Sequence, residues 1–294
     1  MLHIAGVGKM GLPMAGHFHA AGHVVTVSDP GQARLQLARS QGLQVAGDAG
    51  AAMARADIIV SSLPNDAALR QVAAQVAQSA RRGAIYIDTS TVSQQASAEV
   101  AQVLAAAGVF YLRTTVSGNN RMAEAAQLTV MASGPRAAYD TALPLLKLLG
   151  PHQFYLGEAE EARLMKLVVN LMIAQTSAML AEALTLGRKG GLNWQDMWQV
   201  LGASAVASPI VKAKAVQLAV RDFTPTFTVE QMIKDLDLIL DAGRAVHAPL
   251  AQTALTQQLM HAAMAQGDAQ EDYAAIIKTV ERSAGLDTAL EKVP

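Results

Sequence analysis

Through residue 157 the chain alternates short apolar runs with longer amphipathic stretches. LHIAGV, HVVTVSD, ADIIVSSLP, GAIYIDTST, VFYLRTTVSG, LTVMASG and HQFYLG each border a segment of helical periodicity. This is the pattern of strand–helix–strand units. Ile58, Ile59 and Val60 are apolar at consecutive positions, which suits strands covered on both faces, so a parallel sheet flanked by helices is expected. Past Gly157 the β-like runs stop. The rest of the chain reads as helices: a long one from about Glu158 to Lys189, then NWQDMWQVLGAS, SPIVKAKAVQLAV, TVEQMIKDLDLILDAGRAV, PLAQTALTQQLMHAAMAQ and DYAAIIKTVERSA. Pro209, Pro225 and Pro249 fall at or near three helix starts, where a missing N–H is harmless. The pattern predicts an α/β domain over residues 1–157 on a doubly wound, mostly parallel sheet. It also predicts an all-helical domain over 158–294, joined to the first by the long helix.

Between the first strand and the first helix lie three glycines, Gly6, Gly8 and Gly11, in LHIAGVGKMG followed by LPMAGHFHAAG. Strand, tight turn and helix are the context a phosphate-binding glycine motif needs. Gly6 permits the turn, Gly8 lets the backbone approach a pyrophosphate, and Gly11 lets helix and strand lie close. Val7, Lys9 and Met10 complete the turn, and phosphates would meet the helix N-terminus. Asp29 ends the next strand, where a carboxylate accepts hydrogen bonds from the adenosine ribose and repels a 2′-phosphate. No arginine comes directly after it, since Arg34 is a helical turn later. The expected cofactor is NAD in preference to NADP. The competing reading is a glycine turn that holds no ligand.

Other segments bring polar groups to strand ends or into apolar helices. IDTSTVS (87–93) ends a strand in hydroxyls that either open onto a ligand crevice or cap the next helix through Thr91 or Ser93. TTVSGNN (114–120) offers Ser117, Gly118 and Asn119, groups that hold a carboxylate or form a plain turn. Lys166 and Asn170 stand one turn apart in RLMKLVVNLMI. Burial would lower the pKa of this amine and suit it to proton transfer near neutral pH, whereas a surface lysine would snorkel to water. Lys234 and Asp235 lie between apolar residues in MIKDLDLILDAG, with a solvated helix face as the plain reading. His19 and His23 are a turn apart, but Gly22 is expected to end the helix between them and no third ligand is apparent, so no metal site is expected. His247, in AVHAP, reads as an ordinary helix-end histidine. Ser117 lacks the second glycine arrangement of GxSxG, so hydrolysis is not indicated.

Composition narrows the partners. The chain has 294 residues, of which 51% are hydrophobic, and this is enough for two cores. Only 16% are charged and the net charge is -1, so nothing attracts a phosphate backbone or an anionic leaflet; neither nucleic acid nor membrane is an expected partner. The absence of cysteine removes disulfides, thiolate nucleophiles and thiolate metal ligands. No basic segment precedes the first apolar run, which the glycine turn interrupts, so a cytoplasmic protein is expected. The apolar stretch 167–187 carries Asn170, Gln175 and Glu182, which suits a buried helix better than a membrane span. Methionines, many in the second half, point to close helix packing or an oligomer contact.

Taken in order, GVGKMGLPMA, SLPND, DTSTVS, VSG with LTVMASG, KLVVN, IKDLDL and EDYAAIIK resemble the β-hydroxyacid dehydrogenases over essentially the full length. That family includes 3-hydroxyisobutyrate dehydrogenase, tartronate semialdehyde reductase, L-threonate dehydrogenase and, more distantly, 6-phosphogluconate dehydrogenase. The resemblance implies an N-terminal Rossmann domain, a long connecting helix and an all-α C-terminal domain that forms a homodimer or a higher homo-oligomer. It implies Lys166 as the catalytic lysine and Asn170 as its KxxxN partner, with Ser117 and Gly118 as the substrate-carboxylate turn. Leu63, Pro64 and Thr91 fall on cofactor-contacting positions, and Lys234 on the lysine that reaches the cofactor from the helical domain. Relatives usually read DAPVSGG, then GAxxG before LTIM, where this chain has RTTVSGNNRMAEAAQLTVM. Asn119 and Asn120 thus replace glycine with side chains that hydrogen-bond, so a substrate with additional polar groups or altered size is expected. The implied reaction moves a hydride between NAD(P) and the β-carbon of a small 3-hydroxy carboxylic acid, or reduces the matching semialdehyde, with Lys166 exchanging the hydroxyl proton. An imine reductase and a redox-silent dinucleotide-binding scaffold or sensor are the alternatives. Both are expected to lack the lysine that this chain keeps at 166.

Overall fold

Each apolar run of the first half forms a strand in the computed structural model, which describes residues 1–287. The strands are β1 (Leu2–Ala5), β2 (Val25–Ser28), β3 (Gln44–Val45), β4 (Ile58–Ser61), β5 (Ile85–Asp88), β6 (Phe110–Ser117), β7 (Thr129–Ser133) and β8 (His152–Tyr155). Between them run α1 (Gly11–Ala20), α2 (Gln32–Ser40), α3 (Ala49–Arg55), α4 (Asp66–Ser79), α5 (Gln94–Ala107), α6 (Asn120–Glu124) and α7 (Arg136–Leu146). The sheet order is β3-β2-β1-β4-β5-β6-β7-β8. Pairing is parallel except between β6 and β7, where the last two strands reverse direction. The expected doubly wound, mostly parallel sheet is therefore present. The pattern had no strand at β3, which is too short to leave a periodic signal.

Alternation along the strands fills two cores. Ile85 and Ile87 face one side with Leu12 and Phe18 of α1, Leu35 of α2 and Ala142 of α7. Tyr86 faces the other with Met53 of α3, Leu69 and Val76 of α4, and Val100 and Leu104 of α5. The period of two makes Ser61, Asp88 and Arg113 share the face of Ile59, Tyr86 and Tyr111, Ser61 and Asp88 at the carboxyl ends of β4 and β5 and Arg113 midway along β6.

His3 of β1 lies on that second face, fully buried, with its ring nitrogens 3.0 Å from Thr26 Oγ1 and 3.0 Å from Ser28 Oγ. Burial alone lowers its pKa from 6.5 to about 4. The unfolded chain therefore binds more protons than the folded one between these two values, and stability falls as the pH drops through that window. The loss by pH 4.5 is on the order of 2 to 3 kcal/mol. His3→Gln, which does not titrate, is expected to show a smaller fall in Tm between pH 7 and pH 4.5; equal falls in the two proteins would refute this.

The second half is helical, as its pattern predicts: α8 (Glu161–Lys189), α9 (Trp194–Ala203), α10 (Pro209–Leu218), α11 (Val229–Ala245), α12 (Ala251–Ala263) and α13 (Ile276–Ser283). Asn193 and Ser208 cap α9 and α10, and Thr228 with Gln231 closes a capping box on α11. Contacts divide the chain into two compact units at Lys166–Leu167, inside α8 and later than the change in composition at residue 157. The reason is local: the first turn of α8 is hydrogen-bonded to the sheet. Thr115 Oγ1 donates to Ala162 O (3.0 Å), while Ser133 Oγ donates to Ala159 O (2.7 Å) and accepts from Ala162 N–H (3.2 Å). In the second unit Leu167, Ala174, Ala181 and Leu184 of α8 join Trp194, Trp198, Leu236 and Ile276 in one core.

Candidate active site

The glycine turn sits where the strand order reverses, between β1 and β4, and the ligand crevice of such a sheet opens there. Gly6 has φ +91°, and a Cβ on it would stand 2.4 Å from Ser62 O. One on Gly11 would stand 2.0 Å from Gly6 O. Only glycine fits these two positions. Gly8, by contrast, has nothing within 4 Å of a Cβ position among the described residues, which leaves open backbone for a pyrophosphate to approach. Met10, the N-cap residue of α1, makes no side-chain capping bond; Leu12 N–H donates to Gly8 O (3.1 Å) and Pro13 has no N–H, so an anion would be met at the turn that enters the helix. A groove of about 380 Å³ extends from Gly8 and Lys9 along α1 to Arg34 and Asn120. Asp29 comes directly after β2. Its Oδ2 accepts the Val7 N–H (2.9 Å) and its Oδ1 the Gly31 N–H (2.7 Å), so the carboxylate is held beside the turn. Open backbone, uncapped helix and placed carboxylate fit a dinucleotide.

Two loops continue the crevice. Leu63 is half-buried and Pro64 exposed after β4; Thr91 is half-buried after β5. They are bound together by side chains. Ser90 Oγ accepts the Leu63 N–H (2.8 Å) and donates to Asp88 Oδ1 (2.6 Å), and Ser61 Oγ donates to the same oxygen (2.5 Å). Of the two proposed caps, Ser93 is the one used: its Oγ accepts the Ala96 N–H (3.0 Å) and donates to Asp66 Oδ2 (2.5 Å). The Asp88 carboxylate also meets Arg163 of α8, with Nη2 2.5 Å from Oδ2. Reading by motif missed Asp88 and Arg163. No local signal links them, since 75 positions separate the two.

Ser117, half-buried, ends β6, and Gly118 is exposed. Asn119 is the N-cap of α6, and its Oδ1 accepts the Met122 N–H (3.0 Å). Its side-chain oxygen is thus committed to the helix, as is its carbonyl, which accepts the Ala123 N–H (2.9 Å), leaving the amide nitrogen to face a ligand. Asn120 Oδ1 is buried with no hydrogen-bond partner among the described residues. Arg113 pairs with Glu160 at 2.6 Å ahead of α8. Lys166 comes one turn into α8 and is half-buried rather than fully buried.

In the second unit Asn170 and Asp235 are buried together, with Asn170 Nδ2 donating to Asp235 Oδ2 at 2.5 Å. Lys234 Nζ stands 2.7 Å from Asp235 Oδ1 in an ion pair that lacks hydrogen-bond alignment. Asp235 therefore orients both neighbours, a role that a solvated helix face would not provide. This carboxylate is 1% exposed.

Comparison with known proteins agrees with this geometry. Residues 2–157 match the NAD binding domain of 6-phosphogluconate dehydrogenase, and residues 161–280 the NAD-binding domain of NADP-dependent 3-hydroxyisobutyrate dehydrogenase. The 2-(hydroxymethyl)glutarate dehydrogenase of Eubacterium barkeri is 32% identical over 288 residues, 97% of this chain and 96% of that protein. The 3-hydroxyisobutyrate dehydrogenase of Mycobacterium tuberculosis, solved with L-serine, superposes with TM-score 0.86 at 28% identity, covering 95% of this chain and 98% of that one. An imine reductase from Pseudomonas sp. shares the fold at TM-score 0.63 and 21% identity, covering 95% and 98%.

Proposed function

The chain belongs to the β-hydroxyacid dehydrogenase family, and from that premise we propose the roles of its residues. It is an NAD(P)-dependent oxidoreductase that moves a hydride between the cofactor and the β-carbon of a small 3-hydroxy acid. Bound NAD(P) supplies the hydride acceptor in oxidation and the donor in reduction. Gly6, Val7, Gly8, Lys9, Met10 and Gly11 hold its phosphates, Asp29 its ribose, and Leu63, Pro64, Thr91 and Lys234 contact it further along. Lys166 as a neutral amine takes the substrate hydroxyl proton, and as an ammonium returns it to the carbonyl oxygen. Asn170, oriented by Asp235, holds the lysine or the hydroxyl. Ser117, Gly118 and the amide of Asn119 hold the substrate carboxylate, which fixes the carbon presented for reaction. The observation that carries this reading is an amine at 166, placed directly after the sheet-anchored turn of α8 and four residues before the buried Asn170.

The finer choices rest on single groups. Asp29, held by two backbone N–H groups beside the glycine turn, disfavours a 2′-phosphate, so NAD is the preferred cofactor. Asn119 and Asn120 favour a substrate with a further polar group, and a hydroxymethyl dicarboxylic acid of the kind that names the Eubacterium barkeri relative belongs in the test. The experiment is a panel of C3 to C6 β-hydroxy acids, sugar acids and aryl analogues with NAD and NADP side by side. Turnover with at least one 3-hydroxy acid, at higher kcat/KM with NAD, is expected. No turnover with any member, or a preference for NADP, would overturn the corresponding statement.

α8 is long and apolar enough to cross a membrane by length and composition. One face nevertheless enters the helical core, while Val168, Met172, Met179 and Leu186 stay exposed on the helix. A second copy of the chain covers them in our reading, giving a homodimer or larger homo-oligomer in the cytoplasm. Sedimentation at the mass of a single 30.8 kDa chain would refute the assembly, and cell fractionation tests the location.

A further inference from the structure

Burying an ion pair removes two charges from water, and apolar residues of similar volume often stabilise a fold as well. Arg163 is nevertheless wholly enclosed, and so is Asp88. Every nitrogen of the guanidinium has a partner: Nη2 donates to Asp88 Oδ2 (2.5 Å) and to Tyr111 OH (2.8 Å), Nη1 to Ser90 O (2.6 Å), and Nε to Ser97 Oγ (3.2 Å). These partners come from the end of β5, from β6, from the loop after β5 and from α5. The planar fork of arginine can serve four directions at once, which the single ammonium of lysine cannot.

Two chemically important features share this junction. Ser90, whose carbonyl and hydroxyl both enter the network, accepts the N–H of Leu63 in the cofactor loop. Lys166 stands three residues after Arg163, on the next turn of α8, within the same compact unit. A continuous chain of bonds therefore runs from Leu63 through Ser90 and Asp88 to the guanidinium, and along one helical turn to the lysine.

We propose that Arg163 is a positioning residue that sets the placement of Lys166 and the shape of the Leu63–Ser90 cofactor loop together. This rests on Lys166 being the acid and base. Arg163→Lys keeps the charge and loses the fork. At a temperature where circular dichroism shows it folded, kcat is expected to fall about 10- to 100-fold, the scale of an ångström of misplacement. The pH profile of kcat shifts with it. Hydrogen exchange of the amides of Ser62, Leu63 and Asn65 and of residues 89–93 in the cofactor-free protein quickens. Tyr111→Phe, which removes only the hydroxyl that bonds Arg163 and Ser97 and is the milder change should Arg163→Lys not fold, gives a smaller loss of the same kind. In a Lys166→Ala background Arg163→Lys costs less than about threefold further, because its route of action is already gone. A lowered Tm with kcat within twofold of the parent and unchanged exchange overturns the proposal, as does an equal fold-loss in both backgrounds. If Lys166→Ala alone leaves turnover intact, the acid–base reading itself has failed and the positioning role for the lysine falls with it. Quickened exchange at Ser62, Leu63 and Asn65 in Arg163→Lys then separates that failure from a failure of the link to the cofactor loop.

Discussion

Lys166→Ala lowers kcat by about 10² to 10⁴, the usual range for a general acid–base group, while the Kd for NAD(P) changes by less than about threefold. Alanine keeps the helix and removes the amine together with its alkyl stem. The first turn of α8 is held by Thr115, Ser133 and Arg163 through bonds that do not involve residue 166, so the backbone there is expected to stay in place. The glycine turn and Asp29 are likewise untouched. The loss must therefore appear in turnover and not in cofactor binding. Steady-state kinetics on the best substrate of the panel, with cofactor titrated by fluorescence, separates the two. Undiminished kcat would remove Lys166 from the chemistry.

Asp235→Ala destabilises the helical unit by about 3 kcal/mol, the lower part of the range for breaking a buried ion pair. The lower part applies because the Lys234 side chain is 35% exposed and regains some water, whereas the buried Asn170 amide does not. A loss of that size corresponds to roughly 10 °C in Tm for a unit of this length. Activity falls as well, because Asn170 loses the acceptor that fixes its orientation. Asp235→Asn retains the shape and can still accept from Asn170, so its Tm should lie between the alanine variant and the parent. A Tm within 2 °C of the parent for Asp235→Ala would show that the carboxylate orients nothing.

Much of this architecture is legible in the linear chain. The apolar runs located seven of the strands, the composition change separated sheet from helices, and GVGKMG with Asp29 marked the tight glycine turn and the carboxylate held beside it. Each depends on periodicity or on residues close in sequence. The pairing of Asp88 with Arg163 was opaque for the opposite reason: 75 positions separate them, and no local pattern links the two. Asp235 was visible as a residue but not as a partner, because its acceptor role toward Asn170 spans 65 positions. Asn119 shows a finer limit. Its side chain was available on paper for a ligand, yet its oxygen caps α6.

Backbone chemistry and local alternation were thus settled by the sequence itself: where most strands and helices form, which face of each is apolar, and where a glycine turn with an acid after it stands. Those features arise from steric limits and hydrophobic periods that act over a few residues. Tertiary structure alone decided which polar groups meet in the interior. Only folding brings Asp88 under Arg163 and Asp235 against Asn170, and once water is excluded each buried charge or amide must find its partner wherever the chain delivers one.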